Sequence, residues 1–243
     1  MKKYVIYAPH KCGSTILNKI LTDTFNLPTR MQMGKEITAN TDYDKVKFQF
    51  ERLIEFNKPK SPIDFNKDNF IFIPRNPIGI AISMYYSFGY THHCPRYLKS
   101  AKEQERFYLY RENIQKEGFM NYVNRNTPIE SNKIKRFWDF PTTNSKTILP
   151  YELMVSNFSK FLKELLQVLD MTSAYDKIYE KWKESFTPIK DQSDLIEAGK
   201  IKTHKRTTDI YEWKKKLSNE EQNNLISEFP FIQQYDDFLN KLL

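Results

Sequence analysis

The chain is poor in glycine and poorer in cysteine, with six glycines and two cysteines in 243 residues. Two thiols, Cys12 and Cys94, allow at most one bridge, which excludes a disulfide-stapled scaffold, and a chain of this length builds its core without one. Reduced thiols in a cytosol are the expectation. Long apolar runs are also missing. No stretch approaches the roughly 20 residues that a membrane-crossing helix needs. Met1-Lys2-Lys3 is followed by only five apolar residues before Pro9, too few for a secretory core. The reading is a soluble, unexported, cytoplasmic protein with no membrane span. Internal repeats, low-complexity tracts and Pro/Gly/Ser linkers are absent, so a single domain over residues 1–243 is expected. Disorder is excluded by what is present: 40% hydrophobic and 15% aromatic residues supply enough material for a packed core.

Charge of one sign is in excess. Lys and Arg number 38 against 30 Asp and Glu, a formal +8, which favours anionic partners: nucleic acid, a phosphorylated small molecule or an acidic surface. Scarce glycine makes each one a marker of a turn or a backbone need, and Gly13 and Gly79 fall in the two most informative segments.

Lys3–Ala8 (KYVIYA) is β-branched and aromatic, the run breaks at Pro9–Gly13, and Thr15–Phe25 spaces Ile16, Leu17, Ile20, Leu21 and Phe25 at helical intervals. Helical spacing returns over Tyr43–Phe56. Asn69–Ile73 (NFIFI) is a fully apolar run of the kind buried in a parallel sheet, and Pro77 suits the first turn of a helix through Ile80, Ala81, Met84 and Tyr85. Lys99–Arg125 and Ser131–Phe140 read as surface helices, Lys146–Leu149 as a third strand, and Ser156–Leu169 as an amphipathic helix capped by Ser156 or Asn157. Helices follow at Ser173–Glu184, Ser218–Phe229 and Ile232–Leu242, with a polar loop over Lys190–Lys202. Strands alternating with helices argue for an α/β fold with a mostly parallel central sheet flanked by helices, whose ligand site lies at the carboxyl ends of the strands.

Two loops occupy that end. Pro9-His10-Lys11-Cys12-Gly13-Ser14-Thr15 combines backbone amides, the start of a helix, two hydroxyls and an ammonium, which together make an anion cradle. It is not the nucleotide-binding GxxxxGK[ST], because the lysine precedes the glycine and the first glycine is missing; an ordinary strand-to-helix turn capped by Ser14 fits the same letters. Arg75-Asn76-Pro77, directly after NFIFI, offers a planar charged fork for phosphate, with Ser83 two helical turns on. Taken singly, Arg75 equally suits an ion pair and Ser83 a packed helix face.

In this order and context, the two segments resemble the sulfotransferases that use 3′-phosphoadenosine 5′-phosphosulfate (PAPS). That family carries Pro-Lys-Ser-Gly-Thr-Thr-Trp after its first strand and Arg-Asn-Pro with a serine eight residues after the arginine. Lys11, Gly13, Ser14 and Thr15 match the first motif; Arg75, Asn76, Pro77, Ala81 and Ser83 match the second. Looser echoes follow: Tyr151-Glu152 looks like the family's Tyr-Glu, Ser185-Phe186 like its Thr-Ser-Phe near adenine. Lys205-Arg206-Thr207-Thr208-Asp209 through Trp213-Lys214 is similar to the loop that closes on the cofactor. Ile16 stands where the cytosolic branch has tryptophan, Gly79 where it has an acidic residue, and the glycine of the closing loop is missing.

The resemblance implies a three-layer, P-loop-like fold and in-line transfer of a sulfonate from PAPS to a hydroxyl or amine of a small-molecule, glycan or peptide acceptor, without metal. It implies Lys11 beside the leaving phosphate, Cys12, Gly13, Ser14 and Thr15 around the 5′-phosphate, Arg75, Ser83 and Arg206 at the 3′-phosphate, and Tyr151 and Lys205 as further cofactor contacts. No histidine lies between His10 and His92, where the cytosolic branch has its base. Met33-Gly34-Lys35-Glu36-Ile37-Thr38 is similar to the Gly-Glu-Glu-Thr of tyrosylprotein enzymes, which makes Glu36 a candidate base; His92 and His93 are the rivals. Clustering of the histidines with Cys12 and Cys94 invites a metal reading, but the spacings match no closed zinc pattern. Tyr85, Tyr86, Phe88 and Tyr90 suit an acceptor pocket or a packed core alike. A P-loop-type nucleotide kinase and a basic nucleic-acid-binding module, with Phe107, Tyr108 and Tyr110 as stacking residues, are the competing functions; the first lacks GxxxxGK[ST] and an acidic magnesium ligand on its second strand, and nucleic acid is not the expected partner. The acceptor's identity and the oligomeric state are not written in these motifs.

Overall fold

A computed structural model describes residues 4–25, 29–33, 52–56, 69–95, 98–139, 146–201, 203 and 207–243. The first strand, β1 (Tyr4–Ala8), is buried at all five positions. Such a strand needs partners along both edges, because its backbone donors and acceptors are out of reach of water. In chain order come α1 (Ser14–Phe25), β2 (Thr29–Met33), β3 (Arg52–Phe56), β4 (Asn69–Phe72) and α2 (Pro77–Tyr86), which passes into a π-helical turn at Ser87–Thr91. Next are α3 (Ala101–Glu117), α4 (Phe119–Trp138), β5 (Lys146–Ile148), α5 (Tyr151–Ser156), α6 (Phe158–Val168) and α7 (Tyr175–Trp182). The chain closes with α8 (Ser193–Glu197), α9 (Glu212–Lys216), α10 (Asn219–Glu228) and α11 (Phe231–Leu242).

The strands form one sheet in the order β2-β3-β1-β4-β5. β1 runs parallel to β4, with Tyr4 opposite Asn69, and β4 parallel to β5, with Phe70 opposite Lys146. These three are the strands expected from sequence, and the chain is an α/β protein around them. The other side differs from expectation: β3 is antiparallel to β1, and β2 antiparallel to β3. The sheet is thus mixed rather than mostly parallel. The helix expected over Tyr43–Phe56 fails at its last five residues, which are β3; residues 43–51 lie outside those described. A short apolar run carries both periods at once, and the open edge of β1 decides between them.

Two helix boundaries also shift. The break expected between Arg125 and Ser131 occurs instead at Gly118, whose φ of 80° ends α3 as only glycine does cheaply. Pro128 sits inside α4, where Thr127, Glu130, Ser131 and Ile134 around it are buried; tertiary packing overrides the local preference for a break. The polar stretch 190–202 contains α8, opened by Asp191 Oδ1, which accepts from Ser193 N at 3.0 Å and Ser193 Oγ at 2.6 Å. Among the described residues no helix is long and apolar enough to cross a membrane.

The chain gathers into two compact units. The first comprises Met1–Arg75, Arg136–Thr187 and Leu239–Leu243. It holds the sheet, and the rings of Tyr7, Phe72 and Phe137 cluster, with the Phe72 and Phe137 centroids 5.3 and 4.1 Å from that of Tyr7 and 4.8 Å from each other. Asn157, not Ser156, caps α6 by accepting from Lys160 N at 3.0 Å. The second unit comprises Asn76–Lys135 and Pro188–Phe238. It is helical, with Ile78, Ile82, Tyr85, Tyr122, Trp213 and Ile232 in its core.

Candidate anion-binding site

The site grows out of the sheet's carboxyl edge in the first unit. Ile73 N donates to Tyr7 O at 2.9 Å, which carries the β1–β4 ladder one step past the strand. Leu149 N donates to Phe72 O and Tyr151 N to Pro74 O, both at 2.8 Å, and these do the same for β4–β5. The ladders therefore deliver the loop after β1, Arg75 and Tyr151 to one place.

In that loop Cys12 N donates to Pro9 O at 3.2 Å and closes a turn, while Leu17 N donates to Gly13 O at 3.0 Å and starts α1. Lys11 has φ 65° and Gly13 φ 76°, with Cys12 between them at negative φ. Alternating handedness of this kind turns successive N–H groups toward one side and builds an anion-binding concavity, which the positive end of α1 reinforces. A left-handed lysine is strained, since its Cβ crowds the following carbonyl. Cys12 is fully buried and anchors the turn, its thiol directed at His10 O at 3.7 Å. Ser14 is buried at the first helical position, and Thr15 is exposed beside it. The two cysteines form no disulfide.

Arg75 meets this loop. Its Nη1 donates to the carbonyl of Lys11 at 3.0 Å, and its guanidinium carbon lies 4.4 Å from the centroid of the Tyr151 ring. The guanidinium thus holds the strained residue from one side and rests on an aromatic face on the other, a contact of about 0.5–2 kcal/mol. Tyr151 and Met154 also wall the loop: a Cβ on Gly13 would overlap Met154 Cε and lie 3.3 Å from Tyr151 Cδ2. Glycine is favoured there by φ, and any Cβ would also have to displace the flexible end of Met154. Sequence reading found Tyr151 but not Met154; an apolar residue one turn along a short helix carries no signal that it packs against a glycine far away in the chain.

The remaining predicted residues are held by other elements. Ser83 is half-buried on α2 in the second unit, where Asn76 Oδ1 caps the helix and Pro77 occupies its first turn. His92 and His93 follow the π turn in that unit. The His92 ring packs edge-on to Phe88 at 5.5 Å, its carbonyl accepts from Arg111 Nη2, and His93 is exposed. Tyr85 and Tyr86 are core residues, 4% and 5% exposed, so the packed-core reading of that segment holds for both. Burial and a hydrogen bond with Tyr90, O···O 3.1 Å, push the Tyr85 hydroxyl's pKa up. Phe186 stacks on Phe158 at 4.1 Å in the first unit. Glu36, His204, Lys205 and Arg206 lie outside the described residues. Among the described residues no three His, Cys, Asp or Glu side chains converge as a metal site.

The first unit therefore brings Lys11, Cys12, Gly13, Ser14, Thr15, Arg75 and Tyr151 together: an ammonium, a guanidinium, hydroxyls and a helix start, the donor set of a site for a phosphate-type anion. No family model, curated protein or solved structure matches the chain.

Proposed function

We propose that this protein is a sulfotransferase that moves a sulfonate group from PAPS to a hydroxyl or amine acceptor by in-line displacement and releases adenosine 3′,5′-bisphosphate. The observation that carries the reading is the 3.0 Å hydrogen bond from Arg75 to the Lys11 carbonyl. It joins the two segments that resemble the family's donor-binding motifs, although 64 residues separate them. The donor chemistry fits: the loop after β1 offers amides and the hydroxyls of Ser14 and Thr15 to the 5′-phosphate. Lys11 supplies positive charge where negative charge grows on the leaving phosphate oxygen. The family resemblance, rather than the geometry, assigns the 3′-phosphate to Arg75, Ser83 and Arg206 and further donor contacts to Tyr151 and Lys205. The three adjacent parallel strands are compatible with a three-layer, P-loop-like fold around this site. Glu36, His92 or His93 takes the acceptor proton as attack proceeds, a contribution of about a hundred- to ten-thousand-fold.

Thermal shift and calorimetry with adenosine 3′,5′-bisphosphate, against ATP with magnesium and against single-stranded DNA, test the proposal. Selective stabilisation by the bisphosphate is expected. A response to magnesium-ATP alone turns the reading toward a kinase. Salt-steep DNA binding without a bisphosphate response turns it toward a nucleic-acid module. Labelled PAPS with hydroxyl- and amine-bearing acceptors then reads the transfer itself.

A further inference from the structure

Asn76, the middle residue of Arg-Asn-Pro, does more than cap α2. Its Oδ1 accepts from Ile78 N at 2.9 Å and Gly79 N at 3.3 Å, while its Nδ2 donates to Asp236 Oδ1 of α11 at 2.9 Å. A carboxylate accepts and does not donate. Asp236 therefore forces the amide to present its nitrogen to α11 and its oxygen to the helix start. The other carboxylate oxygen, Oδ2, lies 3.2 Å from Lys214 Nζ, whose ammonium also sits 4.8 Å from the Tyr211 ring and 5.1 Å from the Trp213 ring. Asp236 is 6% exposed. Burying a carboxylate is costly, and an apolar residue of similar size often serves stability as well or better. What the carboxylate supplies here is orientation at two points, Asn76, 160 residues away in the chain, and Lys214, 22 residues away.

We propose that Asp236 is a positioning residue within the second unit: through Asn76 it sets the first turn of α2, the helix that carries Ser83, and through Lys214 it couples that turn to α9. The role in ligand binding rests on the sulfotransferase reading; the coupling itself does not. It makes a change at Lys214 felt at the amides of Ile78 and Gly79, with one buried carboxylate as the link.

The test is Asp236→Asn, with Lys214→Met as a milder variant that removes only a half-exposed partner. Amide hydrogen exchange at Ile78 and Gly79 is expected to speed up about tenfold in Asp236→Asn and about threefold in Lys214→Met, with the double variant no faster than Asp236→Asn alone. Affinity for adenosine 3′,5′-bisphosphate is expected to fall in the same order, and Asp236→Glu to restore part of it. Unchanged exchange at both amides in Asp236→Asn, or in Lys214→Met where the first variant does not fold, overturns the coupling. Faster exchange with unchanged bisphosphate affinity reduces Asp236 to a structural residue and overturns its role in ligand binding. A wild type that ignores the bisphosphate refutes the sulfotransferase reading while the exchange measurement still decides the coupling.

Discussion

The two units treat their polar groups differently. In the first, polar groups at the sheet's carboxyl edge are drawn into ladder extensions and into the Arg75 bond to Lys11, and this ordered edge carries the candidate anion site. In the second, Ser87 Oγ, Thr127 Oγ1, Glu130 Oε2 and Trp213 Nε1 are buried without a hydrogen-bond partner; among the described residues of the first unit only Asn18 Oδ1 and Trp182 Nε1 are in that position. The middle of the buried face of α4 is polar, with Asn126, Thr127, Glu130 and Ser131 between Val123 and Ile134. Each orphaned polar atom costs about 1–3 kcal/mol. In the first unit the left-handed residues Lys11 and Asp170 lie in loops that follow a strand and a helix, whereas in the second the orphaned polar atoms are spread through the packed helices. The contrast teaches that the first unit is organised around one edge and the second around mutual burial of helices.

The contrast breaks most sharply at Lys11. Lys11→Gly relieves the left-handed backbone and is expected to stabilise the fold by about 1 kcal/mol, seen as a higher Tm, while transfer from PAPS drops by about a thousandfold or more as the ammonium is lost. A variant that turns over normally would remove the charge-neutralising role assigned to the lysine. Arg75→Ala comes next. Losing its charge-assisted contacts is expected to weaken adenosine 3′,5′-bisphosphate binding by about ten- to a hundredfold in calorimetry. Equal affinities in the variant and the wild type would mean that Arg75 only braces the loop.

Smaller effects sharpen the comparison. Gly13→Ala combines an unfavourable φ with overlap on Met154, and chemical denaturation is expected to show a loss of about 1–3 kcal/mol. No loss would show that the loop relaxes freely and that its ordered geometry is not required. Thr127→Val exchanges an orphaned buried hydroxyl for a methyl of the same shape in the second unit; a gain of about 1 kcal/mol is expected from denaturation curves. Destabilisation instead would show that the hydroxyl is satisfied in solution and that the two units do not differ as described.

Much of the first unit was legible in the chain's own letters. β1, β4 and β5 announce themselves by apolar runs followed by loop residues, and in the second unit Pro77 marks the start of α2 by local stereochemistry. β3 was not legible, because Leu53, Ile54 and Phe56 satisfy helical and strand spacing equally and only the open edge of β1 selects one. The site followed the same rule. Lys11 and Gly13 stand out by residue type, but the positive φ of Lys11 does not, since a lysine rarely adopts it and nothing local requests it. Met154 and Asp236 were invisible for a related reason: each acts on a residue more than a hundred positions away.

The sequence by itself determined that a basic chain of this size places two cation- and hydroxyl-bearing loops after β-strands, because strand, turn and helix starts obey short-range sterics and hydrogen bonding. The tertiary structure alone decided that Arg75 closes on Lys11, that β2 and β3 join antiparallel, and that Asp236 reaches Asn76. Those choices turn on which backbone and side-chain groups find partners once water is excluded, and that competition is settled only when distant segments are brought together.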